Sequence, residues 1–94
     1  MASTDEFFTR VPTQNDDLAW RLIDDECIIV DPVASQATVL NSLGARIWSL
    51  IDGKRTVSDI VGEIVSEYDV THAVAEGDAR EFFESLFERK LAQF

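Results

Sequence analysis

The sequence has little cysteine and histidine and no long apolar run, and each shortage excludes a kind of site or segment. A single cysteine, Cys27, rules out an intramolecular disulfide, and one cysteine with one histidine, His72, gives no ligand spacing for a metal. No run approaches the ~18–20 apolar residues of a transmembrane helix. The start MASTDEFFTR lacks the apolar run of a signal peptide. These shortages predict a soluble, cytoplasmic protein with no metal site and no membrane span.

Basic residues and glycine are also scarce. The 8 basic residues are outnumbered by 18 acidic ones, and the net charge of −10 repels nucleic acid and anionic lipid. The same excess of acid is also a common means of keeping a protein soluble. No Gly-rich phosphate loop is present, and the one tight turn with basic residues, 52–56, is expected to join two helices. Because Cys27 lies in an apolar stretch, we expect a buried, inert thiol. The sequence therefore predicts a binding role, with no enzymatic activity and no cofactor.

The remaining composition is that of one folded domain. The chain has 94 residues, of which 46% are hydrophobic, enough for a single modest core. Residues 1–17 are polar and aperiodic and predict a flexible N-terminal arm, in which Phe7, Phe8 and Val11 are available to dock on the core or on a partner. Residues 18–94 carry the regular patterns and are predicted to form the domain.

Three short strands are predicted in the first half of the domain. LAWRLID (18–24) alternates between apolar and polar positions, CIIV (27–30) is apolar throughout, and QATVL (36–40) is the third. The connections 24–26 and 31–35 have turn composition. Strands this close in sequence predict an antiparallel meander.

Helical periodicity follows the strands. Asn41 or Ser42 is a suitable cap for a helix that ends at Gly53, Thr56 for a second helix, and Thr71 for a third that runs to about Lys90. Gly77 falls inside the third helix and weakens it, which indicates either a kink or a close approach of another group. The predicted fold is α+β, a three-stranded antiparallel sheet followed by three helices.

Several short motifs from Val30 to Val70 resemble the PqqD-like family, the peptide chaperones of pyrroloquinoline-quinone biosynthesis and their relatives. Weaker similarity extends from Val11 to Leu91. The motifs that carry the resemblance are Asp31-Pro32, Val39-Leu40-Asn41, Gly44-Ala45, Ile47-Trp48 with Leu50, Asp52-Gly53-Lys54-Arg55-Thr56-Val57, and Ile60.

The resemblance implies a winged-helix-like domain known as the RiPP recognition element, which serves ribosomally made, post-translationally modified peptides. Such a domain binds the leader segment of a precursor peptide and presents the rest to a modifying enzyme, such as a radical-SAM maturase or a lasso-peptide protease. This chain resembles the free-standing type, which meets its enzyme as a separate protein. A monomer or a dimer through the edge strand is expected.

The family binds its leader between the third strand and the third helix, and a free strand edge is physically suited to adding a peptide strand. Asp78 is a candidate partner for a basic leader residue, or else a first-turn acid favoured by the helix dipole. Val74 and Phe82 fit a core role equally well. Carried over to this chain, the peptide-binding residues are Gln36, Ala37, Thr38, Val39, Leu40, Val74, Ala75, Asp78, Ala79 and Phe82.

This chain departs from the family pattern at two turns. Relatives often have Gly where Asp25 stands, and Gly with an aromatic residue near 35–37. The missing aromatic residue implies a differently shaped pocket and a different preferred leader.

Two other functions compete with leader recognition. One is an interaction subunit that stabilises its enzyme without holding peptide. The other is DNA binding through the third helix, which the charge opposes, since Arg80 is the only basic residue among five acids between Val74 and Glu88.

Overall fold

The computed structural model describes residues 6–94. Within this range the elements are α1 (Glu6–Thr9), β1 (Thr13–Gln14), β2 (Ala19–Ile23), β3 (Glu26–Asp31), β4 (Gln36–Leu40), α2 (Ser42–Ser49), α3 (Val57–Glu67), α4 (His72–Glu88) and β5 (Ala92–Gln93). The predicted α+β fold is confirmed: β2, β3 and β4 form an antiparallel sheet in that order, and α2, α3 and α4 follow it. The described helices include none that is long and apolar enough to cross a bilayer.

An aspartate stands in each hairpin turn of the sheet. Asp24, in the β2–β3 turn, has a φ of 54°, a left-handed conformation that aspartate tolerates better than most residues. In the β3–β4 turn, Asp31 Oδ1 accepts hydrogen bonds from the backbone N–H of Val33 at 3.0 Å and of Ala34 at 3.1 Å. The predicted turns therefore form without the glycines that relatives often have there.

The helices begin at the predicted caps. The side chains of Asn41, Thr56 and Thr71 each accept a hydrogen bond from the backbone N–H three residues further on. Asp59 accepts a hydrogen bond in return from the N–H of Thr56 at 3.0 Å, which completes a capping box. α4 continues without a break through Gly77.

The core lies between the three helices and the inner face of the sheet. Trp48 and Phe83 are the largest fully buried side chains, and the Trp48 ring packs edge-on against Trp20 with ring centroids 6.1 Å apart. Cys27 is fully buried, and this burial raises the pKa of its thiol. The thiol is therefore buried and protonated at neutral pH, as the sequence predicts.

The N-terminal segment packs against the helices. Residues 1–5 of the predicted arm lie outside the described residues. From Glu6 onward the segment forms α1 and β1, and β1 pairs antiparallel with β5. The Phe7 ring lies 6.3 Å from the ring of Phe83 and 5.5 Å from that of Phe94. Residues 6–14 therefore contribute contacts to the domain.

Candidate functional site

β4 is a free edge of the sheet. It pairs with β3 on one side, and no other strand of residues 6–94 pairs with it. Its outward-facing backbone N–H and C=O groups are consequently available to another strand. Thr38 and Leu40 point into the domain and are buried, whereas Val39 is 60% exposed. β4 carries no charged side chain, so it lacks the lysine or aspartate that commonly blocks strand addition.

Phe82 of α4 reaches the end of β4 because α2 has a glycine at that point. A methyl group at Gly44 would lie 3.1 Å from Phe82 Cε1 and 3.3 Å from Leu40 Cβ. Both distances are shorter than comfortable van der Waals contact. Gly44 therefore allows the half-buried Phe82 ring to sit beside the last residue of β4.

A second contact joins α4 to the middle of β4. Arg89, at the C-terminal end of α4, donates a hydrogen bond from Nη2 to Thr38 Oγ1 at 2.5 Å. Together with the approach of Phe82 to Leu40, this contact places the C-terminal half of α4 alongside β4. We call the space between these two elements the β4–α4 groove.

The N-terminal half of α4 faces a different cavity. Ala75, Asp78 and Ala79 line an apolar cleft of about 190 Å³ together with residues of α2 and α3. Ala75 and Ala79 are buried, and Val74 is 52% exposed. The remaining lining residues are Leu43, Ile47, Ile60, Val61, Ile64, Tyr68, Asp69 and Val70. We call this cavity the helix cleft.

The predicted site residues thus divide between two neighbouring places. Phe82 and the edge of β4 (Gln36–Leu40) form the β4–α4 groove, where the side chains of Thr38 and Leu40 point inward and those of Ala37 and Val39 point to the opposite face of the sheet. Ala75, Asp78 and Ala79 belong to the helix cleft, and Val74 lines neither. Asp78 is not a first-turn acid, since α4 begins at His72 and no acidic residue lies in its first turn. The structure adds Gly44 and Arg89 to the site; the sequence analysis named Gly44 only as part of a family motif and did not name Arg89. Two sequence features could have indicated them: Gly44 is a glycine in the first turn of a helix, and Arg89 is a basic residue at the end of a helix rich in acidic residues.

The shifted ionisable groups all support the scaffold around these cavities. Arg46 of α2 donates hydrogen bonds to both carboxylate oxygens of Glu67 in α3, and these bonds hold the pKa of Glu67 below its usual value. The backbone N–H groups of Arg55 and Lys54 lower the pKa of Asp52. These two bonds order the turn between α2 and α3, which is the role predicted for residues 52–56. Among the described residues, no three His, Cys, Asp or Glu side chains are arranged to hold a metal ion.

The architecture defines a class of protein. It is a small domain in which helices cover one face of a three-stranded meander and the last strand remains an open edge beside the last helix. Residues 26–92 match the family model described as "Coenzyme PQQ synthesis protein D (PqqD)". The chain therefore belongs to the PqqD family.

Two solved structures share the fold. A structure described as "TbiB1 in Complex with the TbiA(beta) Leader Peptide" is 30% identical in sequence, with a TM-score of 0.81 over 86% of this chain and 94% of that one. A second, "Lasso peptide synthetase B1 complexed with the leader peptide", is 21% identical, with a TM-score of 0.81 over 90% of this chain and 100% of that one. A search of curated proteins found no match. The predicted family and fold are confirmed.

Proposed function

We propose that this protein binds the leader segment of a ribosomal precursor peptide and presents it to a modifying enzyme. The observation that carries the proposal is the uncharged free edge of β4, Gln36–Leu40, beside α4. The relative with 30% identity is described in complex with a leader peptide, which supports the same role here.

The leader adds to β4 as a fourth strand. Its backbone forms hydrogen bonds with the open edge, which give affinity with little dependence on sequence. Alternate leader side chains point inward, toward the apolar Phe82 and Leu40 and the buried, hydrogen-bonded Thr38. The remaining side chains point to the other face, beside the exposed Val39. Specificity therefore comes from every second leader residue.

Arg89, beside the middle of β4, adds polar recognition in the groove, and the neighbouring helix cleft adds apolar recognition. Arg89 holds a guanidinium over Thr38, where it complements an acidic leader residue. Asp78 stands beside the apolar lining of the helix cleft, where it complements a basic residue next to an apolar one. In this proposal the protein supplies binding and positioning, and the reaction belongs to the partner enzyme, a radical-SAM maturase or a protease. The buried thiol of Cys27 suits a reducing, cytoplasmic location.

A backbone methylation scan of the leader tests strand addition without altering the protein. The leader encoded next to this chain is titrated by fluorescence anisotropy, with a scrambled peptide as control. Each leader amide is then N-methylated in turn. Because successive amides of a strand point in opposite directions, methylation at every second position is expected to abolish binding, while the positions between are tolerated.

Two results would contradict the proposal. One is a dissociation constant weaker than roughly 100 μM for every neighbouring leader, which corresponds to only about 5.5 kcal/mol of binding free energy. The other is a methylation profile without alternation. Tight binding to a maturation enzyme with no leader affinity in either state would favour the interaction-subunit hypothesis.

A further inference from the structure

The face of the sheet that points away from the helices is apolar and uncovered. Cys27 and Ile29 of β3 are buried against the helices, so their neighbours Ile28 and Val30 project to the opposite face. The strand pairing places Ile28 between Arg21 and Val39, and Val30 between Ala19 and Ala37. The apolar members of this face, which we call the outer sheet face, are Ala19, Ile23, Ile28, Val30, Ala37 and Val39.

Most of these side chains are exposed, and Ile28 is half-buried. Ile23 is 46% exposed, Val30 42% and Val39 60%, and they belong to three different strands. Part of the face is concave, because Ala19, Arg21, Ile28 and Val30 line a shallow depression. Contiguous exposed apolar surface with a polar border is typical of protein interaction sites.

The border of the outer sheet face is acidic at both ends. Asp24, Asp25 and Glu26 lie at the β2–β3 turn, and Asp16, Asp17 and Asp31 lie at the opposite end of the same strands. Arg21 is the one basic residue that the pairing places on this face. A complementary partner therefore has an apolar centre and lysine or arginine residues around it.

A second copy of this chain does not meet that requirement. Two copies packed through the same face bring two acidic borders together, and each chain has a net charge of −10. Juxtaposed like charges oppose such an interface. The charge pattern consequently favours a different protein over self-association.

The outer sheet face is continuous with the edge at which the leader is proposed to bind. A strand added to β4 extends this same face, and its outward side chains fall next to Ala37 and Val39. A protein docked there contacts the receptor and the bound leader at once. We propose that the outer sheet face is the docking surface for the modifying enzyme, which presents an apolar patch bordered by basic residues. This inference rests on the proposed function, since it identifies the occupant through the leader.

Two valine substitutions of the same kind test the surface. Val30→Asp places a charge at the centre of the outer sheet face, and Val33→Asp makes the same change in the β3–β4 turn, where Val33 is 87% exposed. The probe is the purified maturase or protease encoded beside this chain, measured by biolayer interferometry with and without leader. Val30→Asp is expected to weaken enzyme binding by at least about tenfold, because a buried unpaired charge opposes docking. Val33→Asp is expected to bind like the wild type.

Further measurements separate this proposal from leader binding. Both variants are expected to keep the leader affinity of the wild type, because neither residue belongs to β4. Asp24→Asn with Asp25→Asn is expected to slow enzyme association and reduce its salt dependence. If circular dichroism shows that Val30→Asp fails to fold, Ile23→Asp at the edge strand β2 serves in its place.

Clear outcomes would overturn the proposal. Unchanged enzyme binding by a folded Val30→Asp or Ile23→Asp variant would do so. So would sedimentation evidence that the wild type dimerises and that Val30→Asp restores the monomer, because the face would then belong to a second copy. If the wild type shows no affinity for the leader while Val30→Asp still weakens enzyme binding, the proposed function would be rejected and the docking surface would be supported.

Discussion

At the scale of single residues, Gly44 controls how closely α4 approaches β4. Glycine ordinarily weakens a helix by about 1 kcal/mol relative to alanine, so an alanine there would strengthen α2 if space allowed. The space is already occupied by Phe82 Cε1 and Leu40 Cβ at 3.1 and 3.3 Å from the added methyl group. The ring is able to turn aside, whereas the Leu40 Cβ is fixed to the strand. We therefore expect Gly44→Ala to destabilise the protein by about 1 kcal/mol.

Gly62 provides the matched control for Gly44. It lies within α3, is exposed, and has no atom within 4 Å of the position an alanine methyl would take. Gly62→Ala is expected to raise the free energy of unfolding by about 0.5–1 kcal/mol. Urea denaturation of both variants gives the comparison. Equal stabilisation of the two variants would mean that Gly44 does not govern the contact between Phe82 and β4.

Local chemistry explains why some of these residues were predictable and others were not. Asn41, Thr56 and Thr71 each bond to a backbone N–H three residues away, and such a bond can be inferred from the residue types alone. Arg89 and Thr38 are 51 positions apart, and nothing in either neighbourhood encodes their contact. Sequence patterns consequently identify helix ends better than they identify the walls of a groove.

At the scale of elements, the pair Arg46–Glu67 fixes α2 against α3. The Arg46 side chain is 39% exposed and the Glu67 side chain 33% exposed, so solvent and salt weaken the pair. The Arg46 hydrogen bonds lower the pKa of Glu67 in the folded protein below its usual 4.5. A lowered carboxyl pKa contributes stability above the unfolded value, and that contribution is lost as the pH falls through the folded pKa.

The pH dependence of one variant tests this ion pair. Glu67→Gln is expected to lower Tm slightly at about pH 7 and by less at about pH 3, because the carboxyl of Glu67 becomes protonated as the pH falls through its lowered folded-state pKa. Glu81→Gln, at an exposed position of α4, is the control and is expected to leave Tm nearly unchanged at both values. A Tm difference for Glu67→Gln that stays constant across this range would assign its effect to something other than the charge.

The elements also differ in how far the sequence predicts them. β2, β3 and β4 are joined by short turns with strong turn residues, and their order in the sheet follows from the chain order. β1 and β5 have two residues each and pair across nearly the whole chain, Thr13 with Gln93. A two-residue segment has no periodicity to detect, so the N-terminal segment is predicted as an arm although residues 6–14 contact the domain.

The same limit applies to α4 as a binding element. Its apolar residues form one stripe along the helix, and nothing in their spacing indicates that some line the β4–α4 groove and others the helix cleft. The position of α2 decides the division, because Phe82 meets β4 over Gly44 while Ala75 and Ala79 face Leu43 and Ile47 in the helix cleft. The family resemblance therefore predicts which helix faces a leader peptide, and the tertiary packing determines which half of that helix lies beside the strand.

At the scale of the whole molecule, net charge is the main protection of the open sheet. The β4 edge carries no charged side chain, and the outer sheet face is largely apolar. Neither feature by itself prevents one copy from pairing with another. The net charge of −10 acts over the whole surface, and its repulsion extends about 8–10 Å at physiological ionic strength.

This balance predicts that self-association depends on salt. At low to physiological ionic strength we expect a monomer by sedimentation velocity up to about 100 μM protein, a concentration at which only interfaces stronger than about 5.5 kcal/mol persist. At about 1 M NaCl the screening length falls to about 3 Å, and we expect dimers to appear. If the dimer forms through β4, it blocks the leader, and the apparent leader dissociation constant at high salt then rises with protein concentration. A dimer that is present at low salt, or that dissociates when salt is added, would contradict this prediction. It would show that specific ion pairs, and not net repulsion, determine the association of this protein.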